Sequence, residues 1–254
     1  MARYARIRKM NGEHAFVHCD DERALEIDAA PWAGGEETGK VLDLSRTSHS
    51  VPVTPTKIVC VGRNYAAHAQ EMGNAPPVEP LLFFKPPSSL LEPGGTVILP
   101  PESERVDYEG ELAVVIGKRA RRVSVADAPK FVFGYAVACD VTARDLQKKD
   151  GQWTRAKGFD TFCPIGPHLV TDVDPRALTL RLSVNGQERQ HASTADMVFD
   201  VPTLVSYISA AMTLEPGDII LTGTPEGVGP LADGDHVEVS ISGVGELEFR
   251  VRSE

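Results

Sequence analysis

The chain has 254 residues, 42% of them hydrophobic and 24% charged, with a formal net charge of −10 at pH 7. That is ordinary globular usage, enough for one large domain or a large and a small one. So acidic a surface repels phosphate backbones and anionic lipid, which argues against nucleic-acid and membrane partners while leaving a local site free to be basic. No segment reaches the roughly 18 consecutive apolar residues of a membrane span, and no apolar run follows the basic N-terminus. Cys19, Cys60, Cys139 and Cys163 lie far apart without a CxxC. They read as reduced thiols of a cytoplasmic protein rather than a zinc site or a disulfide framework.

From Ala2 to about Asp28 the chain reads as short strands and turns, with Asn11-Gly12 a hairpin turn. A loop-rich segment covers Pro31 to Gly39, and Val51 to Lys57 reads as a linker kept extended by two prolines. Ile58 to Val61 is a buried strand. Asn64 to Met72 makes a short helix with Asn64 as N-cap and Gly73 at C′. Strands follow at Leu82 to Lys85, Tyr108 to Ile116 and Val132 to Val141. One amphipathic helix starts near Asp200 and Pro202, carries Leu204, Val205, Ile208, Ala211 and Met212 at helical spacing, and stops before Pro216-Gly217. The remainder, Ile219 to Leu221, Val237 to Ile241 and Leu247 to Val251, is strand and turn. The fold class is mainly β with a few helices, α+β. A small N-terminal module and linker occupies residues 1–55 and the main domain residues 56–254.

Glu109 and Glu111 are the most informative pair. On one strand they project from the same face, about 6.5–7 Å apart. Ala113 and Val115 continue that face and Leu112, Val114 and Ile116 the other, so neither face looks fully solvated. Two carboxylates beside apolar residues need positive compensation, and a hard divalent cation, Mg²⁺ or Mn²⁺, suits oxygen donors. Asp140, which ends an apolar strand, is the third candidate ligand. The alternative is a solvated edge for the glutamates and a turn at Asp140. His68 and Glu71, at i and i+3, share one helix face, where a carboxylate can orient an imidazole for deprotonating water. Two exposed polar residues would look the same. Lys157, taken alone, reads as a surface lysine.

Together these residues resemble the fumarylacetoacetate hydrolase family. The runs that carry the resemblance are Val61-Gly62-Arg63-Asn64-Tyr65-Ala66-Ala67-His68, then Glu109-Gly110-Glu111-Leu112 with Gly117, then Asp140-Val141-Thr142-Ala143-Arg144-Asp145. Ala156-Lys157-Gly158-Phe159-Asp160 with Cys163-Pro164-Ile165-Gly166-Pro167, and Leu221 to Gly229, complete it in family order over about Lys57 to Glu254. The resemblance implies a mixed β-sandwich roll, usually a homodimer, with Glu109, Glu111 and Asp140 as ligands of Mg²⁺ or Mn²⁺. It implies His68 and Glu71 as the water-activating pair and Lys157 as the catalytic lysine. Arg63, Lys85, Arg144, Gln147 and Thr224 would line the substrate cleft, and residues 1–55 would form a cap-like module.

The implied substrate is a small anionic 2-oxo or 2,4-dioxo acid. Hydrolysis of a C–C bond comes first, with isomerisation and decarboxylation as alternatives on the same site. Arg63, Arg144 and Lys85 would make a locally basic cleft preferring short dianions. A β-roll oxygenase would need two histidines and a carboxylate, and no histidine pair lies near the Glu109 to Asp140 strands; His14 and His18 read as surface residues. A non-catalytic small-acid binding protein with a structural metal would have no use for His68, Glu71 and Lys157 together.

Overall fold

The computed structural model describes residues 1–20 and 23–254. The chain opens with β1 (Arg3–Lys9), β2 (His14–Cys19), β3 (Ala24–Ile27), β4 (Glu37–Leu42) and β5 (Thr47–Ser50). Then come β6 (Ile58–Gly62), α1 (Ala66–Glu71), β7 (Leu81–Lys85), β8 (Leu90–Leu91), β9 (Thr96–Leu99), β10 (Val106–Tyr108) and β11 (Gly110–Ile116). The middle of the chain forms β12 (Val132–Cys139), β13 (Thr142–Ala143), α2 (Arg144–Asp150), α3 (Thr154–Gly158), β14 (Cys163–Pro164) and β15 (His168–Val170). It ends with β16 (Thr179–Val184), β17 (Gln187–Ser193), α4 (Val201–Ala211), β18 (Ile219–Leu221), β19 (Gly229–Pro230), β20 (His236–Ile241) and β21 (Gly245–Ser253). The mainly β, α+β class expected from the sequence is what the fold displays.

The large sheet runs β4-β3-β2-β1-β15-β12-β11-β18-β6-β7, with β5 also on β1. A second sheet runs β17-β16-β20-β21-β9. β11 and β12 are the hinge of the packing. Leu112, Val114 and Ile116 point into the main core, shared with β16, β20 and β21. Ala113 and Val115 point the other way, into a second core with Ile58, Cys60, Ile165 and Leu169. Both faces of β11 are therefore dry, and every residue of it is buried.

The Asn11-Gly12 turn closes β1 on β2, with Gly12 in the left-handed region (φ 86°) donating to the Lys9 carbonyl at 2.9 Å. Residues 51–57 run extended between strands, yet Val53 is buried, and Asp218 accepts from the Thr56 and Lys57 amides at 2.9 and 3.1 Å. α4 is capped by Asp200, whose carboxylate accepts from the Thr203 amide at 3.0 Å, and it buries Leu204, Val205 and Ile208. The four cysteines are free. Among the described residues no helix is long and apolar enough to cross a membrane.

Two local expectations change. The strand expected over Tyr108 to Ile116 breaks at Glu109. β10 pairs with β13 and β19, whereas β11 pairs with β12 and β18, because the chain must leave one sheet to enter the other. Asn64 is not the cap of α1; Tyr65 holds that position, without a side-chain capping bond. The Asn64 amide instead donates to Phe199 and Thr222 carbonyls at 3.0 and 2.7 Å and accepts from the Phe199 amide at 2.8 Å. Three bonds to other segments outweigh one cap. Gly73 does sit just past the helix, with φ 73°.

Candidate metal centre and active-site cavity

Glu109, Glu111 and Asp140 converge, each buried, with one potential ligand oxygen from each lying within 4.8 Å of the others. The break at Glu109 brings this about. The Asp140 amide donates to the Glu109 carbonyl at 2.8 Å, so the end of β12 is clamped beside the start of β11. Register does the rest, since Gly110 faces Cys139 and Glu111 faces Ala138.

Lys157 lies at the centre of this group rather than on the surface. It is only 2% exposed, and Nζ donates to Glu109 Oε2 at 2.8 Å and Asp140 Oδ2 at 2.5 Å. α3 carries it inward because its first turn is anchored by the Lys157 amide on the Trp153 carbonyl. Lys85 and Arg144 are also buried, and their charges are already matched. Lys85 Nζ donates to Asp140 Oδ1 at 2.7 Å and to the Val141 and Lys157 carbonyls. Arg144 reaches Asp107 at 2.9 Å, Glu109, and Gln147 Oε1 at 2.7 Å. Of the three cations expected to meet substrate, Arg63 alone has no carboxylate partner among the described residues. The expected basic cleft is thus mostly an internal charge network, since an unmatched buried cation is too costly to hold ready.

The positive charge is unevenly shared. Asp107 pairs with Arg105 and Arg144, Glu109 with Arg144 and Lys157, and Asp140 with Lys85 and Lys157. Glu111 is the one buried carboxylate of the four without an ion pair among the described residues. Among the described residues its Oε2 accepts only from the Gly223 amide, at 2.7 Å. Burial, then Asp140 and Glu109, push its carboxyl well above the usual range. Burial would do the same to Glu109, but Lys157 and Arg144 overcome it and hold that carboxyl below the usual range. A divalent cation among the three carboxylates would remove the load on Glu111. The donor set is all hard oxygen, so the residues fit Mg²⁺ or Mn²⁺.

These groups wall a cavity of about 60 Å³. Arg63, His68, Arg144, Gln147, Lys157 and Thr224 line it with the triad. Its apolar lining is Val61, Met72, Phe83 and Trp153. His68 is buried, and its Nδ1 lies 3.2 Å from Glu71 Oε2. Glu71, more exposed, stands behind the histidine, and Lys85 lies outside the lining. A larger hollow of about 580 Å³ on the five-stranded sheet contains none of these groups.

Several residues at this site carry no local signal in the sequence. Gln190, on β17, accepts from the Gly110 amide at 2.9 Å and donates to Thr224 Oγ1 at 2.8 Å, tying the start of β11 to the loop after β18. Asp107 anchors Arg144. Gly223 has φ 98°, and a Cβ there would stand 2.7 Å from Asn64 Cβ, so only glycine lets its amide reach Glu111. The glycines of Leu221 to Gly229 were visible as a motif; what they hold was not.

Comparison with known proteins agrees with this geometry. The family model described as fumarylacetoacetate (FAA) hydrolase, C-terminal, matches residues 57–252. One described as Rv2993c-like, N-terminal, matches residues 2–47. An oxaloacetate tautomerase FAHD1, mitochondrial, of Arabidopsis thaliana is 54% identical over 202 residues, 77% of this chain and 91% of that protein. A 2-hydroxyhepta-2,4-diene-1,7-dioate isomerase from Mycobacterium marinum has a structure similar at TM-score 0.93 and 44% identity, covering 100% of this chain and 99% of that one. The fumarylpyruvate hydrolase of Pseudomonas aeruginosa, solved with Mn²⁺ and pyruvate, is similar at TM-score 0.74 and 39% identity, covering 80% and 91%.

Proposed function

The chain belongs to the fumarylacetoacetate hydrolase family, and from that membership we propose that it is a divalent-metal-dependent hydrolase cleaving the C–C bond of a small 2,4-dioxo acid of the fumarylpyruvate or acylpyruvate type. The observation that carries this reading is the meeting, in one small cavity, of a buried carboxylate triad and a carboxylate-backed histidine. Glu109, Glu111 and Asp140 would hold Mg²⁺ or Mn²⁺. Bound there, such an ion supplies Lewis acidity to the carboxylate and keto oxygens of a 2-oxo acid.

The remaining work falls to the side chains. With Nδ1 engaged by Glu71, His68 keeps Nε2 free to take a proton from water. The water oxygen adds to the C4 carbonyl carbon, the C3–C4 bond breaks, and its electron pair passes toward the C2 keto group. C3 then takes up a proton, giving a carboxylic acid and pyruvate. Lys157 holds positive charge beside the oxygens on which negative charge develops. Arg63, the lining cation without a protein carboxylate, is the residue we assign to a second carboxylate of the substrate. Family membership also supports a homodimer, for which light scattering at micromolar concentration gives the mass.

A second reading is enol–keto tautomerisation of an oxaloacetate-like acid, favoured by the 54% identity to the Arabidopsis tautomerase. It moves a proton between C3 and the C2 enol oxygen and uses no hydrolytic water. The test is a chelator-stripped protein reloaded with Mg²⁺ or Mn²⁺ and assayed on acetylpyruvate, fumarylpyruvate and oxaloacetate. Hydrolysis predicts pyruvate and a carboxylic acid from the dioxo acids. Enol–keto conversion of oxaloacetate with intact dioxo acids replaces it by tautomerisation. Full activity after stripping overturns the metal-dependent reading.

A further inference from the structure

We propose that Trp153 sets the length of the acid that the cavity admits, as its size-limiting wall; this rests on the reading of the cavity as a 2-oxo acid site. The triad, Lys157 and Arg144 serve the reacting end, so an acyl chain without a second carboxylate for Arg63 is left with the apolar lining, Val61, Met72, Phe83 and Trp153. Trp153 is the largest of them, and its half-buried indole packs against Gly62 and Phe83.

Its indole lies against the backbone at the end of β6. A Cβ built on Gly62 would stand 2.9 Å from the ring, so the wall is as close to that strand as a side chain can be. Its edge meets Phe83 with ring centroids 5.1 Å apart at 67°. Phe83 in turn carries Lys157 Nζ 5.0 Å from its centroid. The Trp153 carbonyl accepts the Lys157 amide at 2.9 Å, which fixes the backbone from which the indole projects. An indole packed between a strand backbone and a second ring cannot swing aside without losing both contacts. In a cavity of about 60 Å³, a chain longer by a few methylenes meets this ring. Length selection by a rigid apolar wall discriminates by roughly 10–200-fold per methylene.

The test uses saturated unbranched 2-oxo acids of increasing length, from pyruvate upward, which the proposed reaction cannot cleave. They are titrated calorimetrically into the whole protein with Mn²⁺ present. The native protein should bind the shortest acids and lose affinity sharply at a defined length. Trp153→Ala should move that limit to longer acids, raising affinity at least about tenfold for the first acid the native protein rejects, with pyruvate affinity little changed. Trp153→Phe should lie between, and it guards against a loss of fold in the alanine variant.

A second readout comes from emission. The chain has two tryptophans, and Trp32 packs elsewhere, against Phe16 and Phe133. In a Trp32→Phe protein, pyruvate with Mn²⁺ should change the emission of Trp153. An unchanged length limit in both Trp153 variants, or a native protein indifferent to length, overturns the proposal alone. A native protein that binds no acid of the series overturns the reading of the site and the proposal with it.

Discussion

The Gly227 amide donates to both carboxylate oxygens of Glu71, at 3.1 and 3.3 Å, so the glycine-rich loop after β18 holds the group that orients His68. Gly227 has φ 92°, and a Cβ there would stand 2.1 Å from the Arg189 carbonyl oxygen. Gly227→Ala must therefore move the loop. It should cost about 1–3 kcal/mol of stability and lower turnover through Glu71. Urea unfolding and kcat measured together check this, and native values for both would contradict it.

His68→Ala should lower hydrolysis of an acylpyruvate by about 10²–10⁴-fold, the usual loss for a general base. Decarboxylation of oxaloacetate, which consumes no water, should fall far less. Glu71→Gln should follow the same pattern more weakly, because the amide can still hold the ring. Equal losses in both reactions would assign His68 to binding or folding.

Asp140 shares its carboxylate between Lys85 and Lys157 while standing among the proposed ligands. Mn²⁺ at a hundred times its Kd should stabilise the native protein by about 2.7 kcal/mol, read as a rise in Tm. Asp140→Ala should abolish that rise together with activity. Glu109→Gln and Glu111→Gln should each weaken it, and combining them should add little, since the ligands act as a unit. A native Tm response in Asp140→Ala would remove Asp140 from the ligand set.

His168 and His49 face one another beside β1, ring centroids 5.4 Å apart, and His49 Nδ1 has no hydrogen-bond partner among the described residues. Burial, then His49 and Arg3, push the His168 imidazole down to about 4. The unfolded chain binds this proton more readily than the folded one. The contribution of neutral His168 is therefore complete above about pH 6.5 and is lost as pH falls from there toward 4. Between pH 7 and pH 5 the native protein should lose about 1–2 kcal/mol more than His168→Phe, allowing for partial solvent screening. Parallel urea midpoints for the two proteins across that range would refute this.

What the sequence determined by itself was whatever is written in neighbouring residues. Apolar runs placed β6, β11 and β12, the Asp200 cap and helical spacing placed α4, and a left-handed glycine closed the first hairpin. The spacing of Glu109 and Glu111, with Asp140 at a strand end, was enough to suggest a cation site. The tertiary structure decided which charges remain available. Lys157 comes from a segment with no pattern of its own and Lys85 from the end of an expected strand, and both become buried only when α3 and β7 close over Asp140. Asn64, Gln190 and Gly227 act on partners far along the chain, so nothing local distinguishes them from a cap, a surface amide or a turn. The reason is physical: a buried charge or amide is assigned by what meets it after desolvation, and that partner is chosen by the packing of sheets, not by sequence neighbours.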